Sequence, residues 1–173
     1  MASRAGAATI GGQRAVEPLI VALGDADVWV RWEVAHASGN IGGARAVESL
    51  VSVMRDPDSW VRWEAARALG NIGAECAIAA LVAALNDPEE RVRWEAARAL
   101  GSVGEARAVE ALIVALHDSD DRVRSEAARA LGNIGDVRAL AELDRTSREN
   151  EEMAEEARLA SKQIRQRTKS PIP

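Results

Sequence analysis

The chain contains no phenylalanine and no tyrosine; five tryptophans are its entire aromatic content across 173 residues. Ala, Leu, Val and Ile must therefore fill the core, and the indoles are free for another role. One cysteine, Cys76, excludes an internal disulfide framework and fits a reducing compartment. Without a positioned His it is also a poor nucleophile. Only two histidines, His36 and His117, are present, and neither has a Cys or second His at ligand spacing, so no metal site and no cofactor is expected. Lysine is nearly absent (Lys162 and Lys169), so charge pairing rests on the planar fork of arginine. No apolar run approaches the roughly 18–20 residues of a membrane span. The start, M-A-S-R-A-G-A-A-T-I, lacks the apolar core of a secretory signal. A cytoplasmic protein away from membranes is expected, and a net charge of −5 disfavours nucleic acid as a partner.

What the chain does contain is a repeat. The stretch W-V-R-W-E-A-A-R-A-L-G-N-I-G, Trp60 to Gly73, returns 31 residues later from Arg91 and again from Arg122, and appears 31 residues earlier from Trp29. A fixed period of about 20–50 residues marks stacked supersecondary units. Four units follow, 25–55, 56–86, 87–117 and 118–148, preceded by a half-unit, 1–24. Each predicts two helices and no strand-like alternation. The first opens at an Asp as cap, with Pro57 and Pro88 at the first helical position, and closes at a glycine (Gly42, Gly73, Gly104 or Gly135) suited to a left-handed cap. The second is short and apolar. Residues 149–168 run acid-first and base-last with a thin apolar stripe, predicting a C-terminal capping helix, and 169–173 a tail. The fold class is an all-α, right-handed solenoid.

On a helical wheel, Val30, Val34, Ala37 and Ile41 define the core direction of the first unit. Trp32 falls opposite it, His36 and Trp29 lie to one side, and Glu33 borders the core stripe. The later units repeat this with Trp60, Trp63, Glu64 and Arg67, then Trp94, Glu95 and Arg98, then Ser125, Glu126 and Arg129. The tryptophans are thus expected to form a row facing away from the core, fading at the fourth unit. Glu64 with Arg67, and Glu95 with Arg98, have the i,i+3 spacing of surface pairs worth a few tenths of a kcal/mol.

From Gln13 to about Leu143 the chain resembles HEAT-like repeats, especially the short class named after phycobilisome lyases and the artificial alphaRep arrays built on it. The carrying residues are D-x-x-x-x-V-R-x-x-A-A-x-A-L-G-x-I-G followed by x-x-R-A-V-E-x-L-I-x-A-L. The resemblance implies an inter-repeat ladder of Asp25/Arg31, Asp56/Arg62, Asp87/Arg93 and Asp118/Arg124. It also implies that the V-R-bearing helices line a concave surface. A partner-binding groove of Trp29, Trp32, Glu33, His36, Trp60, Trp63, Glu64, Arg67, Trp94, Glu95 and Arg98 follows from that placement. Deoxyhypusine hydroxylase is similar in having V-R-H-E-type repeats whose His-Glu pairs hold a di-iron site. Here Trp32, Trp63, Trp94 and Ser125 stand before the Glu, so that site cannot form.

No catalytic constellation is present. The expected function is a non-enzymatic scaffold that binds a protein or peptide in the Trp-lined groove, or a second copy of itself through that face or the N-terminal half-repeat. A bilin-lyase-like chromophore-handling subunit is one alternative. Nucleic-acid binding, as in DNA glycosylases built from HEAT-like repeats, is another, disfavoured by the acidic charge.

Overall fold

The computed structural model describes Leu19 and residues 21–169. Most of the expected half-unit 1–24, and all but the first residue of the tail, lie outside the described residues. Among those described the elements are helical: α1 Val28–Ile41, α2 Ala44–Val53, α3 Ser59–Ile72, α4 Ile78–Ala84, α5 Glu90–Val103, α6 Val109–Ala115, α7 Asp121–Ile134, α8 Leu140–Glu149 and α9 Ala154–Lys169. Short 3-10 turns lead into α4, α6 and α8. Helices α1, α3, α5, α7 and α9 pack each on the next as one layer, and α2, α4, α6 and α8 each pack on the first helix of the following unit. The result is an α-solenoid whose core runs continuously from unit to unit.

Two acids two residues apart begin each unit, and they divide two tasks. In three units the second of them caps the helix, whereas Glu89 in the third makes no side-chain cap bond: Asp58 accepts the N–H of Trp60 at 2.8 Å and of Val61 at 3.4 Å. Asp27 and Asp120 cap α1 and α7 in the same way. The expectation that the first Asp caps, with Pro57 and Pro88 opening the helices, is thus corrected by two residues. From the second unit on, the first Asp is held from the preceding unit instead. Arg31 donates from Nε and Nη2 to the two oxygens of Asp56 at 2.8 and 3.0 Å, and from Nη1 to its own unit's Asp25 carbonyl at 2.9 Å. Arg62 repeats this on Asp87 and Arg93 on Asp118. Such forks are the strong, directional form of an ion pair. The fourth, Arg124, reaches Glu152 ahead of α9 at 3.3 Å.

Helices α3, α5 and α7 end in left-handed glycines, Gly73, Gly104 and Gly135. Gly42 differs from the expected left-handed cap: φ is 66° but ψ is −164°, and Gly43 follows with φ 85°. A second glycine, three residues earlier in each unit, sets the approach of the layers. A Cβ on Gly70 would lie 2.7 Å from the Cβ of Ala99 and 2.8 Å from its Cα. Gly39 stands likewise against Ala68, and Gly101 against Ala130. First helices therefore touch backbone to backbone through a Gly–Ala ridge.

Gly70→Ala gains about 1 kcal/mol of helix propensity but must push α3 from α5. A net loss of about 1–3 kcal/mol is expected, read by urea unfolding, whereas Asn71→Ala on the exposed side of the same helix should change little.

Candidate interaction site

The first turns of α1 and α3 carry tryptophans three apart, so each pair shares a face. Trp29 meets Trp32 edge-on, centroids 6.4 Å apart and planes at 72°; Trp60 meets Trp63 at 6.0 Å and 80°. Together with Val28 and Asp58 these four indoles line a cleft of about 270 Å³ between the first two units. Trp29 is 71% exposed and Trp60 55%. Trp32 and Trp63 are only partly exposed and rest on the edge of the core, which corrects the wheel. It set Trp32 opposite the core, but in a stack the indole folds flat over its neighbours instead of standing in water. His36 stacks on Trp32 at 5.5 Å with planes 8° apart, and the Arg67 guanidinium lies 5.9 Å from the Trp63 centroid. Trp94, partly exposed, stands apart from this cleft and lines a separate hollow with Glu126.

Glutamates of the motif are largely withdrawn from the face. Glu64 is 0% exposed and Glu95 1%; Glu33 in the first unit is exposed. The expected surface pairs are therefore buried ones. Arg67 donates from Nε and Nη2 to Glu64 at 2.9 and 2.6 Å, and Arg98 donates to Glu95 at 2.9 and 2.5 Å. The preceding unit closes each pair from the other side. His36 Nδ1 lies 3.0 Å from Glu64 Oε1 and 2.7 Å from Arg67 Nη2, while Arg67 acts on Glu95 and Arg98 on Glu126 through their charge. An alternating acid–base ladder results beneath the tryptophans. A wheel of one helix cannot show it, because the covering groups belong to the first helix of the preceding unit.

The row ends at the fourth unit for a packing reason. Ser125 stands where the others have Trp32, Trp63 and Trp94, and its Oγ lies 3.6 Å from Met153 Sδ. Met153 is buried there, just ahead of α9. Elsewhere Cys76 is exposed, and His117 Nε2 lies 2.7 Å from Glu142 on the surface. Among the described residues no cluster of His, Cys, Asp and Glu is arranged to hold a metal ion, and no helix is long and apolar enough to cross a membrane. Three contributors were missed in the sequence: Val28 and Asp58 in the cleft wall, and Arg91, whose guanidinium lies 4.3 Å over the Trp60 ring. The period held the signal for Arg91, which occupies the register position of Trp29 and Trp60.

Burial raises the Glu95 carboxyl above its ordinary 4.5, outweighing Arg98 and Arg67; burial likewise raises Glu126 against Arg129, Arg98 and Trp94. The folded state thus binds these protons more tightly than the unfolded chain. Lowering pH from neutrality towards 4.5 therefore favours folding at these sites. Asp118 has the opposite sign: burial works against its charge, but hydrogen bonds from Arg93 and the Asp120 N–H overcome it and lower its value below 3.8. Its contribution disappears only in stronger acid. Wild type should accordingly gain unfolding free energy relative to Glu95→Gln between pH 7 and 4.5, measured by urea denaturation at stepped pH. A constant difference would contradict the assignment.

The family profile described as HEAT repeats matches residues 2–70, 16–89 and 78–162. No curated protein sequence matches the chain significantly. Among solved structures, an engineered protein is similar at 31% identity with a TM-score of 0.62, covering 87% of this chain and 79% of that one. The complex of CpcE and CpcF of phycocyanin lyase from Nostoc sp. PCC7120 is similar at 25% identity with a TM-score of 0.76. That match covers 87% of this chain but 65% of the other, so it spans less than two thirds of the lyase chain. A designed armadillo repeat protein in complex with the peptide (KR)4 is similar at 27% identity and a TM-score of 0.66, covering 87% of this chain and 82% of that one. A 31-residue period, two-helix units, a continuous core and a family match across most of the sequence lead to one conclusion: this chain belongs to the HEAT repeat family.

Proposed function

We propose that this protein is a non-enzymatic interaction scaffold that binds a peptide or protein segment in the cleft between its first two units. One observation carries the reading. Two large indoles, Trp29 and Trp60, stay exposed at the mouth of an apolar cleft although the core needs neither. Trp is the residue type most enriched in binding hot spots. Rows of aromatic side chains on a rigid helical layer present that area with little ordering cost on binding. The peptide complex of the similar designed armadillo repeat protein supports the same use of the architecture. Self-association is this reading with a second copy as partner.

The double variant Trp29→Ala/Trp60→Ala removes the exposed area and spares the partly buried Trp32 and Trp63. It should retain wild-type helicity by circular dichroism. Peptides selected from a random library on immobilised wild-type protein should bind the variant at least about tenfold more weakly, since hot-spot truncations cost about 2 kcal/mol or more. Equal binding by calorimetry would sink the reading, and light scattering on both proteins reads self-association.

The similarity to the phycocyanin lyase complex supports a second reading, a lyase-type subunit that handles a chromophore in the indole cleft. Co-expression with a bilin and a phycobiliprotein should then give a new visible absorption band dependent on Trp29 and Trp60; an unchanged spectrum removes this reading.

A further inference from the structure

Successive units carry one position in different forms. Trp29, Trp60, Arg91 and Arg122 occupy it in order, and Asp27, Asp58, Glu89 and Asp120 lie two residues before. At the junction of the second and third units the pair is Trp60 and Arg91. The guanidinium carbon lies 4.3 Å from the centroid of the indole, and Arg91 Nε lies 4.0 Å from Glu89 Oε2. That nitrogen is buried with no hydrogen-bond partner among the described residues. The guanidinium is held chiefly by the π face, with a carboxylate alongside.

At the junction of the first and second units the same frame lacks the cation. Trp29 takes the place of Trp60, and Asp58 the place of Glu89. Trp60 stands where Arg91 would, and the cleft of about 270 Å³ lies among them. No guanidinium or ammonium lies over Trp29 among the described residues. Asp58 uses Oδ1 for the N–H groups of Trp60 and Val61, and Oδ2 accepts no hydrogen bond among the described residues. The charge of Asp58 is felt nearby, where it adds to the forces that raise the Arg31 guanidinium, after the Asp56 hydrogen bond and charge. Four indoles and one carboxylate around a cleft of this size suit a flat, weakly hydrated cation.

The geometry points to an arginine side chain of the partner as the occupant of this cleft. Its guanidinium lies against Trp29 and Trp60 and pairs with Asp58, as the protein's own Arg91 lies against Trp60 beside Glu89. This rests on the interaction-scaffold reading and names the chemistry its partner must present.

The probe is the peptide Ac-Gly-Gly-Arg-Gly-Gly-NH2, compared with the same peptide carrying citrulline, lysine or leucine. Binding is followed on the indole N–H signals of the full chain by NMR, assigned from single Trp variants. The arginine peptide should shift the Trp29 and Trp60 signals, leave Trp94 unmoved, and bind roughly 3- to 30-fold tighter than its neutral citrulline counterpart. Asp58→Asn, which keeps the helix cap, should weaken arginine several-fold and leave citrulline unchanged. Equal binding of arginine and citrulline, or of arginine and lysine, overturns the guanidinium assignment. If leucine binds and arginine does not, the cation fails while the scaffold reading stands; if no peptide moves Trp29 or Trp60, and library-selected peptides also ignore Trp29→Ala/Trp60→Ala, both fall. A shift of the Trp29 signal in Arg4→Ala or Arg14→Ala without peptide would give the cleft to the chain's own arginine and overturn the partner assignment.

Discussion

The stack depends on one contact made at every described junction between units: the fork of an arginine closed on the aspartate that opens the next unit. Arg62 grips both oxygens of Asp87 while its third nitrogen holds the Asp56 and Pro57 carbonyls. The gripped carboxylate in turn accepts the N–H two residues on, ahead of the next helix. One guanidinium therefore ties the entry loops of two units together. With that spacing set, Gly70 can sit on Ala99, and Glu95 can be buried beneath Arg98 with the preceding Arg67 acting on it. In water the same i,i+3 pair would contribute little. Here it is a buried charge that must keep its partner.

Most of the fold was legible because periodicity reports it directly. Val61, Ala65, Ala68 and Leu69 recur at core spacing and are buried, and Gly73, Gly104 and Gly135 stop their helices as their positions imply. Most of the failures have a common origin: they concerned residues whose surroundings belong to another unit. Glu64 borders the core stripe of its own helix, and only the facing His36 and the stack make it inaccessible. Gly70 has no role visible on its own helix until Ala99 is set against it. Asp56 looks like a cap because an arginine from the preceding unit, 25 positions earlier, cannot be seen on one helix. The cleft was half legible. Its tryptophans stood out, but the roles of Asp58 and Arg91 emerge only when units are compared position by position.

That comparison separates frame from face. Positions that build the frame, the Asp, the fork arginine, the Gly–Ala ridge and the buried Glu, change little from unit to unit across the middle of the array. Positions on the face do change: Trp60 gives way to Arg91, and Trp94 to Ser125. Each change alters what the surface offers. Arg91 covers an indole from within the protein, and Ser125 makes room for Met153 and the docking of α9. The frame tolerates these exchanges because none of the exchanged side chains takes part in the fork or the ridge.

The fork has a further consequence for the length of the array. Every middle unit offers an arginine forwards and an aspartate backwards, so its two junction surfaces are complementary to each other. A second copy of residues 56–86 placed after Asn86 would meet, at both new boundaries, the groups that already face one another between existing units. Extent along the solenoid is thus a variable independent of the ends, and the surface can grow by whole units without redesign of its interior.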